Sequence, residues 1–191
     1  MSFYDELIPG FGGRCWQVHK FGGTSVANAN CFLQVAKILE DQLDIPAESS
    51  ATKHLAVVVS AMGGRPKVTD LLLDAVRHSS TREHDRAEEA LGVVLEKHRE
   101  CLDVLFRHEE CDGERERLLD IIEGGLNDIR DILKTVSLMK WQAERISEVV
   151  SGYGELWSSQ ILTCVVVIGV MIVIFAASLH VHLRLNRHSP N

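Results

Sequence analysis

Val18-His19-Lys20-Phe21-Gly22-Gly23-Thr24-Ser25-Val26 reads as a short strand that breaks into a glycine loop directly ahead of a helix. Residues 16–21 alternate apolar and polar side chains at a strand's period of two, and Gly22-Gly23 then lets the backbone approach a ligand with no side chain between. From Asn28 or Asn30, either a good N-cap, Phe32, Val35, Ile38, Leu39 and Leu43 recur at helical spacing. The loop therefore feeds a helix N-terminus whose dipole favours an anion, with Lys20 beside it. On these residues alone two readings stand level: a phosphate cradle, or a plain Gly-Gly turn with Lys20 solvated at its rim. The lysine precedes the glycines, so neither a Walker loop nor a dinucleotide fingerprint is present.

Working outward, residues 44–53 form a polar stretch containing Pro, Ser and Thr, a loop. The run Leu55-Ala56-Val57-Val58-Val59 inside residues 54–60 then predicts a fully buried strand of the parallel-sheet type. Strand, helix and strand make a βαβ unit, and its right-handed crossover brings both strand ends to one crevice. Out of the second strand comes Ser60-Ala61-Met62-Gly63-Gly64-Arg65-Pro66-Lys67-Val68-Thr69-Asp70, a Gly/Pro loop ending at a further helix. For Thr69 or Asp70 taken singly, capping that helix is the favoured role.

Residues 82–108 carry an amphipathic stripe of Ala87, Ala90, Leu91, Val94, Leu95, His98, Leu102 and Leu105. Cys111-Asp112-Gly113 interrupts it, and Leu118, Ile121, Ile122, Leu126, Ile129, Ile132, Leu133 and Val136 predict an antiparallel partner. His98 on this stripe reads as a satisfied core histidine, and charges such as Glu96 and Arg99 read as solvated surface. In Gly152-Tyr153-Gly154-Glu155-Leu156-Trp157-Ser158, the two glycines predict a tight turn that leaves Glu155 in the first turn of a helix, where the dipole favours its carboxylate.

Three of these segments resemble one family. Lys20-Phe21-Gly22-Gly23-Thr24-Ser25 is similar to the signature that opens aspartate kinases; the Val58-Val59-Ser60-Ala61 strand end with Thr69-Asp70 is similar to their amino-acid contact. Gly154-Glu155-Leu156-Trp157-Ser158 is similar to the segment that binds the α-amino group of aspartate. Gly-Glu-Leu-Trp-Ser, Trp16-x-Val18-His19 and Glu96-Lys97-His98-Arg99 fit best the plant-type bifunctional aspartate kinase/homoserine dehydrogenases. The resemblance runs from Trp16 to Leu162 and implies an α/β fold, the N-terminal portion of an amino-acid-kinase αβα sandwich with an incomplete parallel sheet and a helical hairpin. The activity it implies is phosphoryl transfer from ATP to the β-carboxylate of L-aspartate, the first step toward lysine, threonine and methionine. Lys20, as the catalytic cation, together with Phe21, Gly22 and Gly23, would meet the phosphates. Ser60 and Thr69 would hold the substrate carboxylate and Glu155 its ammonium, and Mg²⁺ would enter bound to ATP, with no protein metal site.

Such an enzyme should continue into a nucleotide-binding lobe, but its Gly-Arg-Gly-Gly-Ser-Asp segment does not follow Leu162, so little or no kinase activity is expected of this chain alone. Instead Ile161 through Leu179 carry no charge and are followed by His180, His182, Arg184 and Arg187, the length and flank of a membrane span. The expected division is an N-terminal extension (1–15), a partial kinase domain (16–162), a hydrophobic or membrane helix (161–182) and a basic tail (183–191). Two strands leave a sheet edge and face open, so aggregation, a homo-oligomer or another partner is expected. The open alternatives are a non-catalytic membrane-attached interaction module and another enzyme of the amino-acid-kinase fold.

Composition narrows the partners. A formal charge of −7 with acid and base interspersed argues against nucleic acid. Cys15, Cys31, Cys101, Cys111 and Cys164 are odd in number and lack a CxxC pair, so reduced thiols are expected rather than disulfides or zinc. Residues 1–13 show neither a signal nor a transit peptide. The resemblance points to plastid or cytoplasm for the parent enzyme, with membrane association added by residues 161–179.

Overall fold

A computed structural model describes residues 16–43, 54–108, 111–139 and 143–186, with backbone alone given for Trp16, Leu43, His54 and residues 136–139, 143–144 and 169–186. The described chain is mostly helical, around a small parallel sheet of two strands. Strand β1 is Trp16–Phe21, and a short 3-10 turn at Gly23–Val26 leads to helix α1, Ala29–Leu43. Strand β2 is His54–Val59 and pairs parallel to β1, with Lys20 opposite Val58 and Phe21 opposite Val59. Helices α2 (Val68–Ser80), α3 (His84–Leu105), α4 (Asp112–Met139) and α5 (Ala143–Asn186) complete the described chain.

Local chemistry accounts for these boundaries. Asn28 caps α1, its Oδ1 accepting from the amide of Cys31 at 3.1 Å, and Ala29, Phe32, Val35, Ala36 and Leu39 turn one face of that helix into the core. Between α2 and α3 the chain reverses through Arg82, whose φ of 64° is left-handed; Glu83 accepts there from Arg86 at 2.7 Å and lies 3.0 Å from His78. Helices α3 and α4 form the expected hairpin. Arg130 bridges it to Glu88 at 2.9 Å and Arg99 to Glu123 at 3.3 Å, so charges read as plain surface also cross between helices. These exposed pairs add little stability; apolar burial holds the hairpin. Ser79 of α2 donates to the carbonyl of Leu133 at 2.8 Å and ties α2 to α4.

Four expectations need correction. Strand β2 is not fully buried: helices cover the face of Leu55 and Val59 and leave the other open, where Val58 is 51% and Val18 65% exposed, and Val57 on the covered side is still 37% exposed. Thr69 and Asp70 do not cap α2, since the N-cap position is Lys67 with no side-chain cap bond, and Asp70 lies in the first turn, 3.9 Å from Lys67. No turn occurs at Gly152 or Gly154. Helix α5 begins at Ala143 and passes through both, so Glu155 stands in mid-helix without the dipole of a first turn. The stretch expected to span a membrane begins on the protein: Ile161, Leu162 and Val165 are buried in the core, at 9% exposure or less. Among the described residues no helix is long and apolar enough to cross a membrane, and the side chains of residues 169–179 lie outside the described residues, as do the N-terminal extension and the tail from residue 187.

Candidate functional site

Two loops leave the C-terminal ends of the paired strands and lock together. The amide of Ser60 donates to the carbonyl of Phe21 at 3.1 Å, extending the ladder by one rung, and the amide of Gly63 donates to the carbonyl of Gly23 at 2.9 Å. Both loops need glycine for this approach. A Cβ on Gly63 would lie 2.4 Å from the Gly23 oxygen, and one on Gly23 would lie 2.9 Å from the Ala61 oxygen. The amide of Ser25 closes the 3-10 turn onto the Gly22 carbonyl at 2.9 Å. Lys20, at the end of β1, is exposed, and its Nζ lies 3.7 Å from the place of a Cβ on Gly22, over the glycine loop.

Helix α5 closes the other side. A Cβ on Gly154 would meet the Ala61 Cβ at 2.7 Å and Val68 Cγ1 at 3.2 Å, so this helix lies directly on both ends of the second loop. Glu155 therefore follows a residue that touches the neighbours of Ser60 and Thr69. The three segments singled out in the sequence meet along residues 60–68: Phe21 and Gly23 on one side, Gly154 on the other. Phe21, Ser60, Thr69 and Glu155 are half-buried, and the side chains of Lys20, Ser60, Thr69 and Glu155 have no hydrogen-bond or ion-pair partner among the described residues. A cation, two hydroxyls and a carboxylate left unengaged around two glycine loops can take a ligand bearing both signs of charge. That donor set also suits an anionic phosphate group at the Lys20 end.

Packing beneath the site is firm. Trp157, one turn from Tyr153, is 1% exposed and meets the His98 ring edge-on with centroids 5.2 Å apart. His98 is fully buried, its Nδ1 2.7 Å from the Val94 carbonyl, and its Nε2 has no partner, so it is half satisfied rather than wholly so. Burial pushes its pKa down to about 4.

A cavity of about 430 Å³ lies elsewhere, lined by Asn28, Met62, Gly64, Arg65, Lys97 and Cys101 among others, and none of Lys20, Ser60, Thr69 or Glu155 lines it. No group of three His, Cys, Asp or Glu among the described residues could hold a metal ion. Sequence reasoning missed two features of the site. Gly154 serves close packing rather than a turn. Lys97, read as part of a charged run, reaches the second loop, donating from Nζ to the Pro66 carbonyl at 3.1 Å. Only the position of Gly154 just before Glu155 was legible.

No family model matches the chain. Over 155 residues, 81% of its length, it is 36% identical to bifunctional aspartokinase/homoserine dehydrogenase 2, chloroplastic, of Arabidopsis thaliana, and covers 15% of that protein. Bifunctional aspartokinase/homoserine dehydrogenase 1, chloroplastic, of the same plant is 37% identical over 154 residues, again 81% of this chain and 15% of the relative. Bifunctional aspartokinase/homoserine dehydrogenase 2 of Escherichia coli (strain K12) is 28% identical over 169 residues, 84% of this chain and 17% of the relative. The chain thus spans about 15% of the length of the plant relatives.

Proposed function

This chain is a sequence relative of the bifunctional aspartokinase/homoserine dehydrogenases, and we propose that it carries the L-aspartate-binding and phosphate-facing part of an aspartate kinase site. The observation that supports this reading is the convergence of three separate segments along residues 60–68, with four polar side chains around them that have no partner among the described residues. L-Aspartate brings a carboxylate for Ser60 and Thr69 and an ammonium group for Glu155. Its β-carboxylate then faces the glycine loop. The ammonium of Lys20 and the amides of Gly22 and Gly23, with Phe21 behind them, neutralise charge on the transferring phosphoryl group. Phosphoryl transfer needs positioning and charge neutralisation rather than a covalent step on the protein. ATP supplies the phosphoryl group, and Mg²⁺ arrives bridging its phosphates. The αβα sandwich of the amino-acid kinases is the fold this reading assigns, and a plastid is the compartment it assigns to the parent enzyme.

We assign substrate binding to this chain. Calorimetric titration with L-aspartate tests the reading. Saturable binding that Glu155→Ala abolishes and D-aspartate does not reproduce supports it; a wild-type chain that takes up no L-aspartate overturns it. Acyl phosphate formed from MgATP and L-aspartate at an ordinary kinase rate would overturn the expectation of low turnover.

A further inference from the structure

Lys97 of α3 donates to the carbonyl of Pro66 at 3.1 Å, a contact from the helical layer to the tip of the loop between β2 and α2. The loop is shaped around this ammonium. Gly64 has a φ of +88°, and a Cβ there would lie 3.1 Å from Lys97 Nζ, so glycine serves both the backbone and the lysine. Elsewhere the loop is held near its ends: Gly63 on Gly23, Ala61 on Gly154, the amide of Val68 on the Met62 carbonyl at 3.0 Å, and Lys67 against the first turn of α2. Residues 64–67, between those anchors, are exposed.

The contact gains its consequence from the helix on the far side of the loop. Helix α2 starts at Val68 with no side-chain cap, and Thr69 sits in its first turn. The amide of Val68 has the Met62 carbonyl as acceptor, but no side chain caps the amides that follow it, and a first turn without a side-chain cap frays more easily. Lys97 holds Pro66, two residues before the helix begins, and so restrains the turn in the absence of a cap. A cation near a helix N-terminus has the wrong sign for the dipole. Helix stability by itself therefore does not call for a lysine here; what the lysine does in the structure is hold the Pro66 carbonyl.

We propose that Lys97 is a positioning residue for the carboxylate of the amino-acid substrate: by tethering Pro66 it holds the first turn of α2, and with it Thr69, in place. This inference rests on the function proposed above. Its test uses the whole chain, with Lys97→Met, Lys97→Arg and Gly64→Ala, and reads three quantities: the Kd for L-aspartate, amide hydrogen exchange, and the thermal midpoint.

The expected result is a Kd for L-aspartate raised about fivefold in Lys97→Met, the size of one net hydrogen bond. Amide exchange should rise in residues 68–72 while the thermal midpoint hardly moves. Lys97→Arg restores both the affinity and the protection. Gly64→Ala, which crowds the ammonium, raises the Kd and the exchange of residues 68–72 in the same way but also lowers the thermal midpoint through strain at its positive φ, and adding it to Lys97→Met changes the Kd little further. Wild-type exchange in residues 68–72 of Lys97→Met overturns the tether, and so does loosening spread over all helices without rescue by arginine. A wild-type chain that binds no L-aspartate overturns the acceptor reading instead, and exchange in residues 68–72 then decides the tether by itself.

Discussion

Gly154 and Ala61 touch so closely that a single added methyl would bring two β-carbons to 2.7 Å. The contact joins the middle of α5 to the start of the second loop. It lets one residue be tested against a neighbour two positions away, since a Cβ on Gly152 would have nothing within 4 Å. Gly152→Ala is expected to stabilise the protein by roughly 0.5–1 kcal/mol, the helix propensity gained at an open site. Gly154→Ala gains the same propensity but must push Ala61 and Val68 aside, for a net loss of about 1–2 kcal/mol. Chemical denaturation of the pair checks the opposite signs, and L-aspartate affinity should fall in Gly154→Ala alone.

His98 makes the core sensitive to acid. Its folded pKa, lowered to about 4 chiefly by burial, lies below the ordinary histidine value of 6.5. Above pH 6.5 the ring is neutral in both states, and its contribution to stability is whole. Between there and pH 4 the unfolded chain takes up a proton that the folded chain refuses, so stability declines as pH falls. The loss is on the order of 3 kcal/mol and levels off below the lower value. Urea midpoints measured across this range should show the slope. His98→Leu should remove most of it, at some cost in packing against Trp157.

Cys101 should be chemically silent. Burial pushes its thiol up to about 12, against the lowering influence of Lys97 nearby. At pH 8 its thiolate fraction is on the order of a thousandfold below that of an ordinary thiol. Cys31, Cys111 and Cys164 are only half-buried. Alkylation and subsequent peptide mapping should label Cys101 last, and at an appreciable rate only under unfolding conditions.

Asn28 sits where the glycine loop becomes α1, and its cap is an isolated, checkable bond. Asn28→Ala should cost about 1 kcal/mol, whereas Asn28→Asp should be near neutral. Thermal melts of the two variants distinguish the lost acceptor from any effect of side-chain size.

The part of the fold legible in the sequence was the part governed by local rules. Strand β1, a cap at Asn28 or Asn30, the parallel pairing with β2 and the α3–α4 hairpin all come from periodicity and punctuation, and the structure puts the cap at Asn28. The failures came where a distant contact outweighed a local signal. Gly152 and Gly154 look like a turn, yet Gly154 is where a helix presses on Ala61, a reason invisible without the partner. The apolar run of β2 reads as buried on both faces, but Val58 shares with Val18 the face of the sheet that the helices leave open. Lys97 lies in a charged run typical of surface, and only the fold brings Pro66 within its reach. Of the proposed site, Lys20, Ser60, Thr69 and Glu155 were singled out through motifs, and the structure adds the glycine contacts that bring those segments together.

The pairing of β1 with β2 also dictates when the site is assembled. Trp16 must find His54 across an intervening helix, whereas α3 and α4 meet through one short connection. Local contacts close early and distant ones late, because the longer loop costs more entropy before any contact repays it. The helical hairpin is therefore the part of the molecule that forms first, and the interlock of Gly23 with Gly63 is among the last. A chain stalled on the way to the native state would have its helices and lack the interlock of its two glycine loops.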